Sequence, residues 1–188
     1  MSLPQLETEN RYDCVLDSPL GRLGIRYRDN RLTRLDYVQR ALAQKAATTV
    51  FGRQVSTQLE QFFANPGHRF TLALDMQGTA FQCRVWEALT QIAAGETLTY
   101  GELATRLHSG ARAVGNACRH NPVSIIVPCH RVVSATGIGG YSGRTDGREI
   151  HRKQWLLAHE VIAGQALKIR QKPPTNRLRS SKQRNLHA

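Results

Sequence analysis

Apolar residues alternate with polar ones in three short stretches near the start of the chain: Arg11 to Asp17, Gly24 to Tyr27 and Arg31 to Val38. This period of two predicts strands with one buried face, the third placing Leu32, Leu35 and Tyr37 on the core side. Ser18-Pro19-Leu20-Gly21 supplies a turn between the first two. From Thr49 to Ala64 the period changes, and Val50, Val55, Leu59, Phe62 and Phe63 approximate one face of a helix. Asn65-Pro66-Gly67 ends it. Phe70, Leu72 and Leu74 alternate again, which predicts a strand from Phe70 to Asp75.

After Gln77-Gly78 the pattern turns mainly helical. Thr79 can cap a helix from Ala80 to Ala93, with Phe81, Val85, Leu89 and Ile92 inward and Gly95 closing it. Thr99, with Glu102 three residues on, has the form of a capping box for a helix from Tyr100 to Leu107. After His108-Ser109-Gly110, a helix from Ala111 to His120 interleaves small residues with Arg112, Asn116 and Arg119. Two short helices about a glycine-containing turn fit a helix-turn-helix, although such pairs also occur as plain packing. Ala113 and Gly115 would let the second helix approach a duplex closely. Ile125 to Val127 reads as a buried strand that Pro128 ends. The fold class is α/β. The boundaries fall at 1–77 for an N-terminal α/β domain, 78–165 for a second, mainly helical domain, and 166–188 for a basic tail.

Composition narrows the options. Hydrophobic residues make up 40% of the chain and charged residues 21%, enough for a core. No apolar run nears the roughly 20 residues needed to span a bilayer, and Met1 to Asn10 lack a signal-like apolar stretch. These features suit a cytoplasmic protein that is not a membrane component. The net charge is +12, and seven basic residues with no acidic one lie between 166 and 188. That tail has the composition of a disordered segment able to touch phosphates, or only to aid solubility. The four cysteines, Cys14, Cys83, Cys118 and Cys129, form no C-x-x-C pair, and the histidines lack zinc-site spacing. No metal and no cofactor is expected.

Asn121-Pro122-Val123-Ser124-Ile125-Ile126-Val127-Pro128-Cys129-His130-Arg131-Val132-Val133 carries the chemistry. A thiolate is the nucleophile, and an imidazole oriented by an acid can generate one near neutral pH. Adjacent side chains on a strand point apart, so Cys129 and His130 need a bridging water or a bend after Pro128. Glu160, in Trp155-Leu156-Leu157-Ala158-His159-Glu160, is a candidate to orient His130. A buried cysteine beside an unrelated histidine is the plain alternative.

These motifs, with Ala111-Arg112-Ala113-Val114-Gly115 and Gly140-Tyr141-Ser142-Gly143, resemble the O6-alkylguanine-DNA alkyltransferases over about residues 78–162. Asp17-Ser18-Pro19-Leu20-Gly21 and the helix from Gln58 to Ala64 extend the resemblance more weakly. It implies a small ribonuclease-H-like N-terminal domain and a winged-helix-like C-terminal DNA-binding domain. It also implies irreversible transfer of an alkyl group from O6 of guanine, and from O4 of thymine, to Cys129 by a monomer acting on double-stranded DNA. His130 would act through water as general base, with Glu160 polarising it, and Asn121 would link the recognition helix to the active-site strand. Arg112 would fill the space of the extruded nucleotide, and Tyr100 would rotate its phosphate and donate to the base. Tyr141 and Ser142 would line the pocket, and the backbone of Cys129 and Val132 would meet the exocyclic amine. Extrusion is required because a stacked O6 substituent cannot reach a buried thiol.

Two departures from the family form stand out. The turn 107–110 is about two residues short, and segment 144–151 is long, with Arg144 where a second glycine is common. Three other classes compete with alkyl transfer. A lesion sensor would lack the cysteine, a cysteine hydrolase would need an oxyanion site, and a transcription regulator would need a further module.

Overall fold

The computed structural model of the protein describes residues 11–170. The alternating stretches form an antiparallel sheet in the order β1 (Cys14–Leu16), β2 (Leu23–Arg28), β3 (Arg31–Tyr37). Cys14 pairs with Ile25, and Ile25 with Leu35, so one face carries a row of buried residues. Helix α1 (Val50–Ala64) starts where Thr49 accepts from the Gly52 amide, and it buries Phe51, Val55, Leu59 and Phe62. Gly52 is required there, because a Cβ would stand 2.5 Å from the Tyr27 hydroxyl. Phe70 to Asp75 is extended but is not a strand. It makes one parallel bridge, Leu32 to Leu74, because only Leu32 exchanges backbone hydrogen bonds with it.

The second half begins with α2 (Ala80–Thr90), closed at its start by a capping box between Thr79 and Gln82. It ends a turn short of the expected Ala93, and Gly95 instead serves the following turn with φ +80°. Strand β4 (Leu98–Thr99) leads into α3 (Tyr100–Arg106), where the Thr99–Glu102 capping box forms as expected. Helix α4 (Ala111–Arg119) follows a four-residue connection that reverses through His108 at φ +50°. The Trp86 indole donates to the Ala117 carbonyl at 2.9 Å and ties α2 to α4. β4 runs parallel to β5 (Val132–Val133), and α5 (Gly147–Arg170) is the last element of the described residues. Among the described residues there are thus five α-helices and two small sheets.

Three expectations change here. Ile125 to Val127 is a buried turn, not a strand: Val127 N–H donates to Val123 O, and Ile125 sits at φ +74°. A β-branched residue at positive φ carries no sequence signal, since the chain normally avoids it. Residues 147–151 are the first turns of α5, so the long loop shrinks to Arg144–Asp146. Helix α5 also runs five residues past the expected boundary at 165, and the rest of the basic tail lies outside the described residues.

The two halves share one apolar cluster from Leu23 and Ile25 through Trp86 and Val114 to Leu156. Leu35 of β3 donates its amide to Pro122 O at 2.9 Å, next to the cysteine-bearing segment. Replacing Thr79 with Ala should cost about 1 kcal/mol, because the Gln82 amide at the start of α2 loses the hydroxyl that accepts from it. Urea denaturation checks this as a lower midpoint at unchanged slope.

Candidate active site

Pro128 turns the chain into a single 3-10 turn, Cys129–Arg131, so Cys129 and His130 lie on a bend and not on a strand. Both side chains are buried. The bend aims His130 at α5, where its Nε2 lies 2.9 Å from Glu160 Oε1. The ionised carboxylate accepts, so Nε2 carries the hydrogen and Nδ1 keeps its lone pair. Nδ1 is buried without a protein partner among the described residues.

Glu160 is held twice more by Arg131, through Nε at 2.9 Å and Nη2 at 2.7 Å. Arg131 Nη1 also donates to the Ile92 carbonyl. Burial pushes the Glu160 carboxyl up, but the hydrogen bonds from His130 and Arg131 outweigh it and hold it at about 2. Burial pushes His130 down, against the pull of Glu160, so the imidazole stays neutral around pH 7. It also pushes the Cys129 thiol up, partly offset by Asn121, the Lys153 charge and Ser124. The resting state is therefore a thiol near a neutral base.

Cys129 opens into a pocket of about 360 Å³ lined by Tyr100, Arg112, Gly115, Cys118, Tyr141 and Ser142, among others. The structure thus brings most of the expected residues together. Arg112 and Ala113 are exposed on α4, while Val114, Ala117 and Cys118 face the core. Asn121, just past the end of α4, clasps the 123–127 turn: its Nδ2 donates to Val127 O at 2.8 Å, and its Oδ1 accepts from Val123 N at 3.0 Å. Tyr100 donates to the Gly140 carbonyl at 3.1 Å. Gly139, at φ +70°, allows this approach, since a Cβ would stand 2.9 Å from the Tyr100 ring. Tyr141 is buried, and Ser142 is exposed at φ +48°.

Residues 80–162 match the family described as "6-O-methylguanine DNA methyltransferase, DNA binding domain". The chain is 43% identical over 153 residues to a methylated-DNA–protein-cysteine methyltransferase of Mycolicibacterium paratuberculosis, covering 78% of this chain and 90% of that protein. The chain belongs to the methylated-DNA–protein-cysteine methyltransferase family. A Mycobacterium leprae member is 39% identical over 163 residues, covering 81% of this chain and 95% of its own. Mycobacterium tuberculosis OGT, solved in complex with DNA, superposes with a TM-score of 0.67 at 40% identity, over 79% of this chain and 91% of that one.

In this methyltransferase-family site two charged residues escaped sequence reasoning. Arg131 stood inside the quoted motif without a role. Lys153 is fully buried, and its Nζ donates to Val132 O at 2.6 Å and Gly140 O at 2.9 Å. It therefore fixes two carbonyls at the pocket edge. Its signal was present: Ile150, Lys153, Leu156 and Glu160 recur at helical spacing, so two charges occupy an otherwise apolar face. Burial lowers the Lys153 ammonium to about 8. Among the described residues no helix is long and apolar enough to cross a membrane.

Two pH effects follow from these groups. Glu160 is held below its unfolded value, so it stabilises the fold above about pH 4 and loses that effect as pH falls towards 2. Glu160→Gln should remove this limb from a stability–pH profile and cost about 3–5 kcal/mol at pH 7, because Arg131 is left unpaired. Lys153 is also held below its unfolded value of 10.5, so the unfolded chain binds the extra proton between about pH 8 and 10.5. Stability from this group should rise across that window, and Lys153→Met should abolish the rise in urea midpoints measured at each pH.

Proposed function

We propose that the chain repairs O6-alkylguanine in double-stranded DNA by direct transfer of the alkyl group to Cys129, once per molecule. The observation that carries this reading is the buried Cys129 thiol opening into a pocket beside α4, on the same 3-10 turn as His130, whose ring is paired with Glu160 of α5. The DNA complex of the 40% identical M. tuberculosis OGT supports DNA as the partner.

Each step uses a group already described. Arg112 and the small residues of α4 meet the duplex, and the target nucleotide leaves the stack for the pocket. A water carries the Cys129 proton to His130 Nδ1, and Glu160 stabilises the imidazolium. The thiolate attacks the alkyl carbon while the carbon–O6 bond breaks, and its electron pair passes to guanine. Guanine then takes up a proton through the Tyr100 hydroxyl at the pocket mouth, and solvent returns one to Tyr100 as the His130 imidazolium releases its own. Asn121 holds the turn that bears Cys129 against the end of α4. The backbone of Cys129 and Val132 and the Ser142 side chain bind the base edge. The thioether has no hydrolytic exit, so the thiol is not regenerated.

In this reading the ribonuclease-H-like unit is 1–77, the winged-helix-like catalytic unit is 78–165, and the protein works as a cytoplasmic monomer without a metal or cofactor. The buried core common to both halves supports a structural role for the first.

Incubation with duplex DNA carrying O6-methylguanine should add one methyl group per chain, mapped to Cys129 by peptide mass analysis. Cys129→Ser should abolish uptake while DNA binding persists; uptake by that variant overturns the assignment. Arg112→Ala should slow repair in duplex by at least tenfold, the effect of about 1.4 kcal/mol, but barely change reaction with free O6-benzylguanine. Equal losses on both substrates argue against a space-filling role.

A further inference from the structure

We propose that Tyr37, on β3 of the N-terminal half, is a specificity-determining residue that limits the size of alkyl group accepted, by holding the ring of Tyr141. The proposal rests on the alkyl-transfer reading above. The Tyr37 and Tyr141 hydroxyls are 3.2 Å apart, and their rings meet edge to face with centroids 6.4 Å apart. Tyr141 is buried and lines the pocket with Cys129, whereas Tyr37 stands behind it on the wall of a second cleft of about 640 Å³.

Tyr37 is itself firmly placed. It pairs with Leu23 at the end of β3. The Arg152 guanidinium lies 4.0 Å from its ring centroid. Arg152 is buried, donates to Leu20 O at 3.1 Å and is ion-paired with Glu149. A cation over the ring face stiffens the aromatic position. The Tyr141 backbone is fixed by a tight turn in which Tyr141 and Arg144 exchange both hydrogen bonds, 2.9 Å each. Backbone turn and hydroxyl contact together leave the ring little freedom. Burial raises both phenols above their ordinary range, so both hydroxyls stay protonated and one donates to the other.

An attacking thiolate needs the alkyl group between sulfur and pocket wall, and Tyr141 is part of that wall. A methyl group asks little of the wall, but a benzyl group needs room for a ring. Loosening Tyr141 should therefore favour the larger group.

The test compares single-turnover rates of Cys129 alkylation for O6-methylguanine and O6-benzylguanine in the same duplex, so that extrusion costs cancel. In Tyr37→Phe the benzyl-to-methyl ratio should rise about three- to tenfold, as expected for one lost neutral hydrogen bond. Tyr141→Phe removes the same bond from the other side and should shift the ratio in the same direction. The double variant should shift it no further than the larger single effect. A Tyr37→Phe ratio within twofold of the parent, in protein whose thermal midpoint shows it folded, overturns the role of Tyr37. Full additivity of the two changes overturns it as well. Failure of the parent protein to take up either group instead overturns the alkyl-transfer reading itself.

Discussion

The buried carboxylate of Glu160 is the point on which the site depends. It receives the His130 ring and two nitrogens of Arg131, and Arg131 reaches on to the Ile92 carbonyl beyond α2. One anion therefore joins α5, the cysteine-bearing turn and the end of α2. An isolated carboxylate at this depth would be prohibitive, but three charge-assisted hydrogen bonds keep it ionised. Because the ion is ionised and fixed, the imidazole has one favoured tautomer, and its other nitrogen is left with a free lone pair.

The same burial poises the nucleophile. Desolvation raises the Cys129 thiol and lowers His130, so neither group is charged at rest. An uncharged, buried thiol resists adventitious oxidation and alkylation, since the thiolate is the reactive form. Charge appears only when the proton moves, and Lys153 and Glu160 are already in place to stabilise it.

The N-terminal half is more than an attached support. Its β3 strand touches the catalytic half twice, through the Leu35 amide at Pro122 and through Tyr37 at Tyr141. Arg152 returns the contact from α5 to Leu20 and Tyr37. These struts and the continuous apolar cluster mean that changes in the first sheet are felt at the pocket wall.

Much of this was legible in the chain. The N-cap at Thr79, the capping box at Thr99 and the periods of β3 and α1 are local, so short-range patterns predicted them. Cys129, His130 and Glu160 were candidates by residue type, and the resemblance carried by the motifs around them set them apart from a plain buried cysteine. Three features were not legible. Ile125 at positive φ and the 3-10 turn at Cys129 depend on tertiary contacts that override a strand-like composition. Arg131 had no assigned role, and Lys153, although it recurs with Ile150 and Leu156 at helical spacing, gained one only when the fold set it against two carbonyls. Tyr37 meets Tyr141 across 104 positions of chain. Sequence alone determined the local elements, because these depend on residue type and short spacing, and it offered candidate reacting groups through the order of motifs that carries the family resemblance. Only the tertiary structure decided which groups share low-dielectric space, because distance and burial set how strongly charges interact.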